Sequence, residues 1–566
     1  RRGTTLLTVD IETNLKHDTI WLACSEDVDT GELTDHTSPD TLQALVNEHS
    51  QIVTHNGIGF DIPVLERVWG LDFTGKEQLD TYVLSCLYSP AMQGGHSLSA
   101  WGGRLGFPKG DFTDFDGGLC DEMITYCRQD VRVTTKTYQR LDKLLTKDGF
   151  SQESRDLEHA VTKELVLQRQ NGFKLDLGKA NTLYSSLTFR MREIEQELQA
   201  VFPPIVSERW SEKTGKQLKD KVEVFNVGSR PQIVKRLQSV GVKFTKKTDG
   251  GGFKVDETIL EDIEHPLAQL VGEYLLVQKR AAQVSSWLEA VQGDGRVRGR
   301  VVSSGAVTGR MSHIAPNMAQ IPATQSVTEG MSTVQALKAR LGGECRECWT
   351  VDEGNKLVGV DASGLELRML AHYMQDEDYT LTILEGDIHT ANQQAAGLET
   401  RSQAKTFIYA FLYGAGDAKI GSIAGKGAAH GKELKQNFLD NTPALKTLKE
   451  LIIKVSAKGG TIPSLDGRRI RVSKEHTALN YLLQGGGAVF MKKALLIGVS
   501  RLRELQIPFK IVANVHDEFQ VETPEAYAKA VGIAFKKAMQ QAGVEMGLRC
   551  PMDGEYQIGD NWSETH

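Results

Sequence analysis

The chain opens with the run Thr4-Thr5-Leu6-Leu7-Thr8-Val9 and turns acidic at Asp10-Ile11-Glu12. Aliphatic and β-branched residues in so short a run predict a buried strand. Strand and helix patterns alternate to about residue 147, which predicts an α/β domain. From about Glu153 to Gln199 the apolar positions take helical spacing, at Leu165, Leu183, Leu187, Met191, Ile194 and Leu198. Residues 203–222, with Pro203-Pro204, Trp210, Gly215 and several lysines, predict a polar loop, and Gly250-Gly251-Gly252 a tight connection. Helical spacing resumes between Ile259 and Val291. Two strand-rich stretches, 356–361 and 509–522, then flank a helical block from about 366 to 500. No internal repeat or low-complexity segment breaks this order.

A length of 566 residues allows two to four domains, each with its own core. No stretch offers the roughly 18–20 uninterrupted apolar residues of a membrane span, so no membrane association is expected. Arg1-Arg2 leads into a polar-punctuated strand and acids, not into the apolar core of a signal sequence. Seven cysteines, an odd count at irregular spacing, fit a reducing cytoplasm rather than a disulfide framework. Cys345-x-x-Cys348 lacks a second pair at zinc-site spacing and predicts two free thiols. The net charge of −7 does not itself suggest a nucleic-acid partner. A basic run from Lys426 to Lys474, including Arg468-Arg469-x-Arg471, fits a basic channel and equally a solvated helix face.

Period-two alternation puts Asp10 and Glu12 on one side of their strand. Alone, such a pair is usually two surface acids. Further along, His55-Asn56-Gly57 follows the apolar Ile52-Val53 and leads to Asp61, ahead of a helix face of Ile62, Val64, Leu65 and Val68. Tyr126 and Asp130, four apart on a predicted helix, share a face. In this order the four acids and the tyrosine resemble the motifs of the proofreading 3′→5′ exonucleases of the DEDD superfamily, in the DEDDy form. The resemblance implies an RNase H-like α/β exonuclease domain over residues 1–150. In it Asp10, Glu12, Asp61 and Asp130 hold two metal ions and Tyr126 orients the attacking water.

In the second half, Lys356 to Asp361 predicts a buried strand ending in an acid, followed by Ala362-Ser363-Gly364-Leu365-Glu366 and an apolar-periodic helix. Phe509 to Glu522 predicts two strands flanking His516-Asp517-Glu518, a hairpin with an acid at its tip. An acidic turn is usually only solvated, but two acids on neighbouring strand ends suit a shared pair of hard cations. Between them Arg401, Lys405, Tyr409 and Tyr413 recur every four residues, two cations and then two aromatics on one stripe. Cations suit a triphosphate and aromatics suit bases. Phe407, Ile408, Phe411 and Leu412 already supply the packing face of that helix.

These three segments resemble motifs A, B and C of the family A DNA polymerases. Thr308-Gly309-Arg310, Pro316 to Pro322, Asp466-Gly467-Arg468-Arg469, Asn480 and Gln484 to Ala488 match further family segments. Gly386 to Thr390 and Phe411 to Asp417 look closest to the short-tailed phage branch, the T-seven type. The resemblance implies an α+β right-hand polymerase domain behind the exonuclease: mainly thumb over 151–300, palm over 301–385, fingers over 386–476 and the rest of the palm over 477–566. Asp361 and Asp517 look like the metal-binding acids, with the Ala362 carbonyl, for two Mg2+ ions per active site or, alternatively, Mn2+. His516 and Glu518 are placed beside the primer terminus, and His389, Arg401 and Lys405 on the triphosphate. Glu366 resembles the steric gate against a ribose 2′-hydroxyl, working with Tyr409. Tyr409, where Phe is the alternative, implies ready acceptance of dideoxynucleotides. Tyr413 is placed near the templating base, and Arg310 and Gln484 in the minor groove of the nascent pair.

The partners implied are primer–template DNA, dNTPs, a replisome helicase-primase and a single-stranded-DNA-binding protein, in the host cytoplasm if the chain is phage-encoded. The T-seven type recruits host thioredoxin through a large thumb insertion; only the short segment 203–222 stands there, so use of thioredoxin is not expected. No 5′-nuclease domain is expected ahead of Thr4, and the absence of G-x-x-x-x-G-K-[ST] argues against a fused helicase. Two rivals are a single-subunit RNA polymerase, opposed by Glu366 and the attached exonuclease motifs, and a 3′→5′ exonuclease with a non-catalytic DNA-binding C-terminal region. The second predicts loss of Asp361, Asp517 or Lys405, and all three are present.

Overall fold

The computed structural model describes residues 5–248 and 250–566, so Arg1-Arg2 and the first residue of the predicted opening strand, Thr4, lie outside the described residues. β1 (Leu6–Thr13) is central to a five-stranded sheet. It pairs antiparallel with β2 (Ile20–Asp27), which carries β3 (Leu33–His36) at the edge. On its other side it runs parallel to β4 (Gln51–Thr54), itself parallel to β5 (Glu77–Asp80). Period two sends Leu7, Val9 and Ile11 into a core with Leu42, Ile52, Ile62 and Leu65. Thr8, Asp10 and Glu12 face the opposite way, toward the Asp121–Lys147 helix, whose Thr135 hydroxyl donates to Thr8 Oγ1 at 2.8 Å. The sheet is thus covered on both faces, and the acids sit inside it rather than on its rim.

The single helical stretch predicted from Glu153 to Gln199 is two helices, Gln152–Asn171 and Leu177–Val201. Gly172 ends the first at φ +65°, where an added Cβ would meet Arg296 Cβ at 2.9 Å. Phe173–Leu175 then forms a short strand between Trp349–Thr350 and Arg296–Val297. The Leu177–Val201 helix packs along Pro266–Ala290, and beyond them a separate small core gathers Ile194, Leu198, Phe202, Phe225, Ile233, Leu237, Leu260 and Tyr274. Residues 203–222 are not a polar loop: Ile205–Trp210 and Gln217–Glu223 pair as an antiparallel hairpin. Val206, Trp210 and Val222 on it are all exposed, so no buried face leaves an alternating signature in the sequence.

In the second half a four-stranded antiparallel sheet has Asn355–Ala362 between Glu518–Pro524 and Gly554–Gly559, with Lys510–Val515 on the outer side of Glu518–Pro524. Three of these strands and the hairpin turn follow the sequence pattern. Gly554–Gly559 does not, because it is bounded by glycines and largely exposed along its length. Val358, Val360, Phe519 and Val521 pack with Leu495, Phe535 and Met539 of the Ala478–Glu504 and Ala528–Glu545 helices. Among the described residues, Glu475–Glu504 is the one helix long and apolar enough to cross a membrane, and 78% of its most apolar window is buried inside the protein. Its Gly486 and Gly487 allow that approach: a Cβ there would meet Met369 Sδ at 2.9 Å and Leu365 Cδ2 at 3.2 Å.

The predicted helical block is broken by the hairpin Thr461–Pro463 and Arg469–Arg471. Arg468, in its turn, is no part of a basic channel. It is buried against Asp466 at 2.6 Å and Glu158 at 2.6 Å, because a guanidinium out of water needs carboxylate partners. Cys345 and Cys348 are free and buried, their thiols pushed up to about 12 by burial.

Candidate active sites

Two carboxylate sites lie at the two sheets. In the first, Glu12, Asp61 and Asp130 are nearly inaccessible. Asp61 begins the short Asp61–Val64 helix, and Tyr126 and Asp130 lie one turn apart on Asp121–Lys147. Burial, then the charges of Asp61, Glu12 and Asp130, raise Asp10 well above the ordinary carboxylate range. Burial and then Asp130 push Glu12 up to about 8, and burial pushes Asp61 up to about 7. Four acids therefore share one poorly solvated space and resist ionising together.

Sequence reasoning missed two residues here. Lys109, in the connection after Leu98–Leu105, places Nζ 2.6 Å from Asp130 Oδ2 and 4.8 Å from the Tyr126 ring centroid. Cys127 places Sγ 3.9 Å from Asp10 Oδ2, and ligand atoms of Asp10, Glu12 and Cys127 lie within 4.8 Å of one another. A lone lysine in an irregular stretch carries no periodic signal, and Cys127 falls on the apolar face of its helix. Phe112 and Phe115 wall Tyr126 at 5.8 and 6.2 Å.

The residues fit hard divalent cations. The donors are chiefly carboxylate oxygens, their mutual repulsion lacks a full counter-charge, and Asp130 Oδ1 is buried with no hydrogen-bond partner.

In the second site, Asp361 pairs in register with Glu518, and His516-Asp517 forms the two-residue turn that joins Lys510–Val515 to Glu518–Pro524. His516 adopts φ +53°, which the tight reversal requires. The Ala362 amide donates to the Asp517 carbonyl at 3.0 Å and ties the turn to the strand carrying Asp361. Burial and then Glu518 raise Asp361; burial and then Asp361 raise Asp517. Ligand atoms of Asp361, Glu518 and His566 lie within 4.8 Å of one another, a group that does not include Asp517.

His566 was not foreseen. Its Nδ1 lies against Glu518 Oε2 and 3.6 Å from Asp361 Oδ1, and hydrogen bonds to Asp361 and Glu518 raise the imidazole to about 9. Glu518 is buried, accepts from Trp562 Nε1 at 2.5 Å and has Arg346 Nη1 at 3.7 Å. It is held by the protein more firmly than Asp361 or Asp517. Carboxylate oxygen donors with raised proton affinities again fit a hard cation.

The Arg401–Leu412 helix presents the expected stripe. Ala404, Phe407, Ile408, Phe411 and Leu412 are buried, while Arg401 and Lys405 are exposed and Tyr409 is half-buried. Burial, then the charges of Glu366 and Asp517, raise the Tyr409 phenol. Tyr413 donates its hydroxyl to Glu366 Oε1 at 2.5 Å, and Arg310 reaches the same oxygen at 3.6 Å. Arg401 pairs with Asp387 at 2.6 Å, and Asp387 caps the helix that carries His389. His389 Nδ1 is buried without a partner, and burial, then Arg401 and Lys405, lower its basicity. Gln484 donates to Asn480 Oδ1 at 2.8 Å.

The model of DNA polymerase family A matches residues 205–564. The chain is similar to the DNA-directed DNA polymerase of Enterobacteria phage T3, 35% identical over 93% of this chain and 94% of that one. The corresponding protein of Escherichia phage T7 is 34% identical over the same shares. Among solved structures, the POL domain of Pol1 from M. smegmatis in complex with DNA primer-template and dNTP has a TM-score of 0.78 at 20% identity. That match covers 100% of this chain and 96% of that chain, and it shows a shared fold.

Proposed function

This chain belongs to DNA polymerase family A, and from that premise we propose that it extends a primer 3′ end on a DNA template with dNTPs and removes misincorporated nucleotides at a second, 3′→5′ exonuclease site. It is a DNA-directed DNA polymerase of the phage type. The domains we propose are an exonuclease over 1–150, mainly thumb over 151–300, palm over 301–385 and 477–566, and fingers over 386–476.

One observation carries the polymerase assignment to particular residues: Tyr413, at the end of the cation-and-aromatic helix, donates to Glu366 at 2.5 Å, which joins that helix to the one that follows the Asp361 strand. Asp361 and Asp517 are the acids that hold two Mg2+ ions, which when bound stabilise charge on the entering oxygen and on the leaving pyrophosphate. Glu518 stays in its bonds to Trp562 and His566 and orients the site. Arg401, Lys405 and His389 line the side where a triphosphate binds, as donors to its oxygens. Glu366, pinned by Tyr413 and Arg310, occupies the space a 2′-hydroxyl would need. Arg310 and Gln484 contact the minor groove.

At the first site Asp10, Glu12, Asp61 and Asp130 hold the metal pair and Tyr126 orients water; the depth and raised proton affinities of those acids support this reading. Helicase-primase and single-stranded-DNA-binding protein are the partners we propose beyond DNA and dNTPs.

The test is extension and shortening of a labelled primer by the intact chain, Asp517→Ala and Asp10→Ala. Asp517→Ala abolishes extension alone, and Asp10→Ala abolishes shortening alone. Persistent shortening with no extension by the intact chain supports instead a nuclease with a DNA-binding C-terminal region.

A further inference from the structure

A cavity of about 310 Å³ lies where the N-terminal sheet meets the rest of the chain, and neither carboxylate site accounts for it. Its walls come from the loop after β4, from the Gln152–Asn171 helix and from residues 298–303. Three guanidiniums, of Arg169, Arg298 and Arg300, line it against a single carboxylate, Asp80. That carboxylate is already engaged: Oδ1 accepts from the Asn56 and Tyr82 amides at 2.7 and 2.9 Å, and Oδ2 from the Ile58 amide at 3.2 Å. Arg298 is neutralised by Asp294 at 2.6 Å.

Arg300 meets neutral groups instead, donating to Asn56 Oδ1 at 3.3 Å and lying 4.8 Å over the Tyr82 ring. Among the described residues neither Arg169 nor Arg300 has a carboxylate within 4 Å. Two cations with no carboxylate partner, one of them 4.8 Å over an aromatic ring, line the cavity together with the apolar Leu165 and Val166. Such a lining suits a phosphodiester with its sugar or base.

The position narrows the choice of ligand. Asn56 and Gly59 belong to the loop that delivers Asp61, so the cavity adjoins the first carboxylate site. Burial, then the charges of Lys109 and, further down, Arg300, lower the basicity of the half-buried His55 ring.

We propose that this cavity is a way-station for an unpaired nucleotide of the primer strand, held by Arg169 and Arg300 as the 3′ end passes to the exonuclease site. This rests on the exonuclease reading. It predicts that single-strand affinity and mismatch removal depend on the two arginines while extension of a paired primer does not.

The experiment uses the full chain and Arg169→Gln, Arg300→Gln and the double variant. Binding of a fluorescent oligo(dT) in EDTA is followed across salt concentrations, beside shortening of a mismatched primer, extension of a paired primer, and the melting temperature. The double variant is expected to bind oligo(dT) about tenfold more weakly, with the salt slope reduced by about 0.7 for each phosphate no longer neutralised. Mismatch removal falls in step, and paired-primer extension stays within about twofold. Unchanged affinity and slope with a lowered melting temperature overturn the proposal and make the arginines an inter-segment tie. Weaker binding of dTMP by the variants, with oligo(dT) affinity unchanged between them and the parent, overturns it in favour of a mononucleotide site. If the intact chain shortens no primer, the exonuclease reading fails, while the binding arm in EDTA still reports on the cavity.

Discussion

Lys109 Nζ stands 2.6 Å from Asp130 Oδ2, the cation nearest a group of four acids that burial holds above their ordinary proton affinities. For a carboxylate raised in the folded state, the stabilising contribution is complete below its unfolded value and is lost as pH climbs through the folded one. With Glu12 raised from 4.5 to about 8 and Asp61 from 3.8 to about 7, the N-terminal sheet and its helices free of metal lose stability between about pH 4 and 8. The loss is on the order of a few kcal/mol. Melting curves in EDTA across that range are expected to fall, and Mg2+ to flatten them. Lys109→Met steepens the fall in EDTA and leaves the Mg2+ curve nearer the parent. Parallel curves with and without Mg2+ would show that these acids bind no cation.

That site also shows what the sequence made legible. Asp10, Glu12, Asp61, Tyr126 and Asp130 declare themselves through strand alternation, a loop preceding an apolar helix, and a four-residue helical step, all local patterns. Asp361, Asp517 and the Arg401-to-Tyr413 stripe are legible for the same reason. Lys109, His566 and Arg346 are not, since each enters a site from an element distant in sequence or from irregular chain. The hairpin over 205–223 escaped because exposure on both sides removes the alternation by which strands are recognised. Arg468 misled because charge in a sequence does not declare whether a buried partner awaits it.

Tyr413 was expected near the templating base; here its hydroxyl is bound to Glu366. A carboxylate held by a phenol and a guanidinium is fixed in place, which steric exclusion of a 2′-hydroxyl requires. Glu366→Ala is expected to lower discrimination between dNTP and rNTP by roughly ten- to a hundredfold, the scale of one removed pocket contact. Tyr413→Phe lowers it less, by freeing the carboxylate without removing it. Single-nucleotide incorporation with matched dNTP and rNTP measures both. Equal discrimination in Glu366→Ala and parent would remove Glu366 from the gate.

The Ile205–Trp210 and Gln217–Glu223 hairpin stands where a thioredoxin-recruiting insertion is expected in the T-seven type, and it is short. Processive extension of a long primed single strand is therefore expected to be the same with and without added thioredoxin. Product lengths on a denaturing gel decide it; longer products on addition of thioredoxin count against the reading. Replacing residues 206–222 by a short Gly-Ser link is expected to leave the melting temperature little changed, because Val206, Trp210 and Val222 are exposed and support no core.

Glu158 lies in the interior between two cations, with Lys492 Nζ at 2.5 Å and Arg468 Nη1 at 2.6 Å from the same oxygen. Burial opposes its charge, yet Lys492 and Arg468 together hold it down to about 2, while burial lowers Lys492 to about 8. Lys492 also donates to the Gly309 carbonyl at 2.7 Å, so the cluster ties the Gln152–Asn171 helix to the segment that carries Arg310. Glu158→Gln leaves two buried cations with only Asp466 beside them, and breaking a buried pair on one side costs about 3–5 kcal/mol. Replacing Glu158 and Lys492 together by Gln and Met removes a charge of each sign and is expected to cost less than the single change. Urea unfolding of the two variants measures the difference. A double variant less stable than Glu158→Gln would mean that packing of the Lys492 stem, rather than charge balance, holds the two segments together.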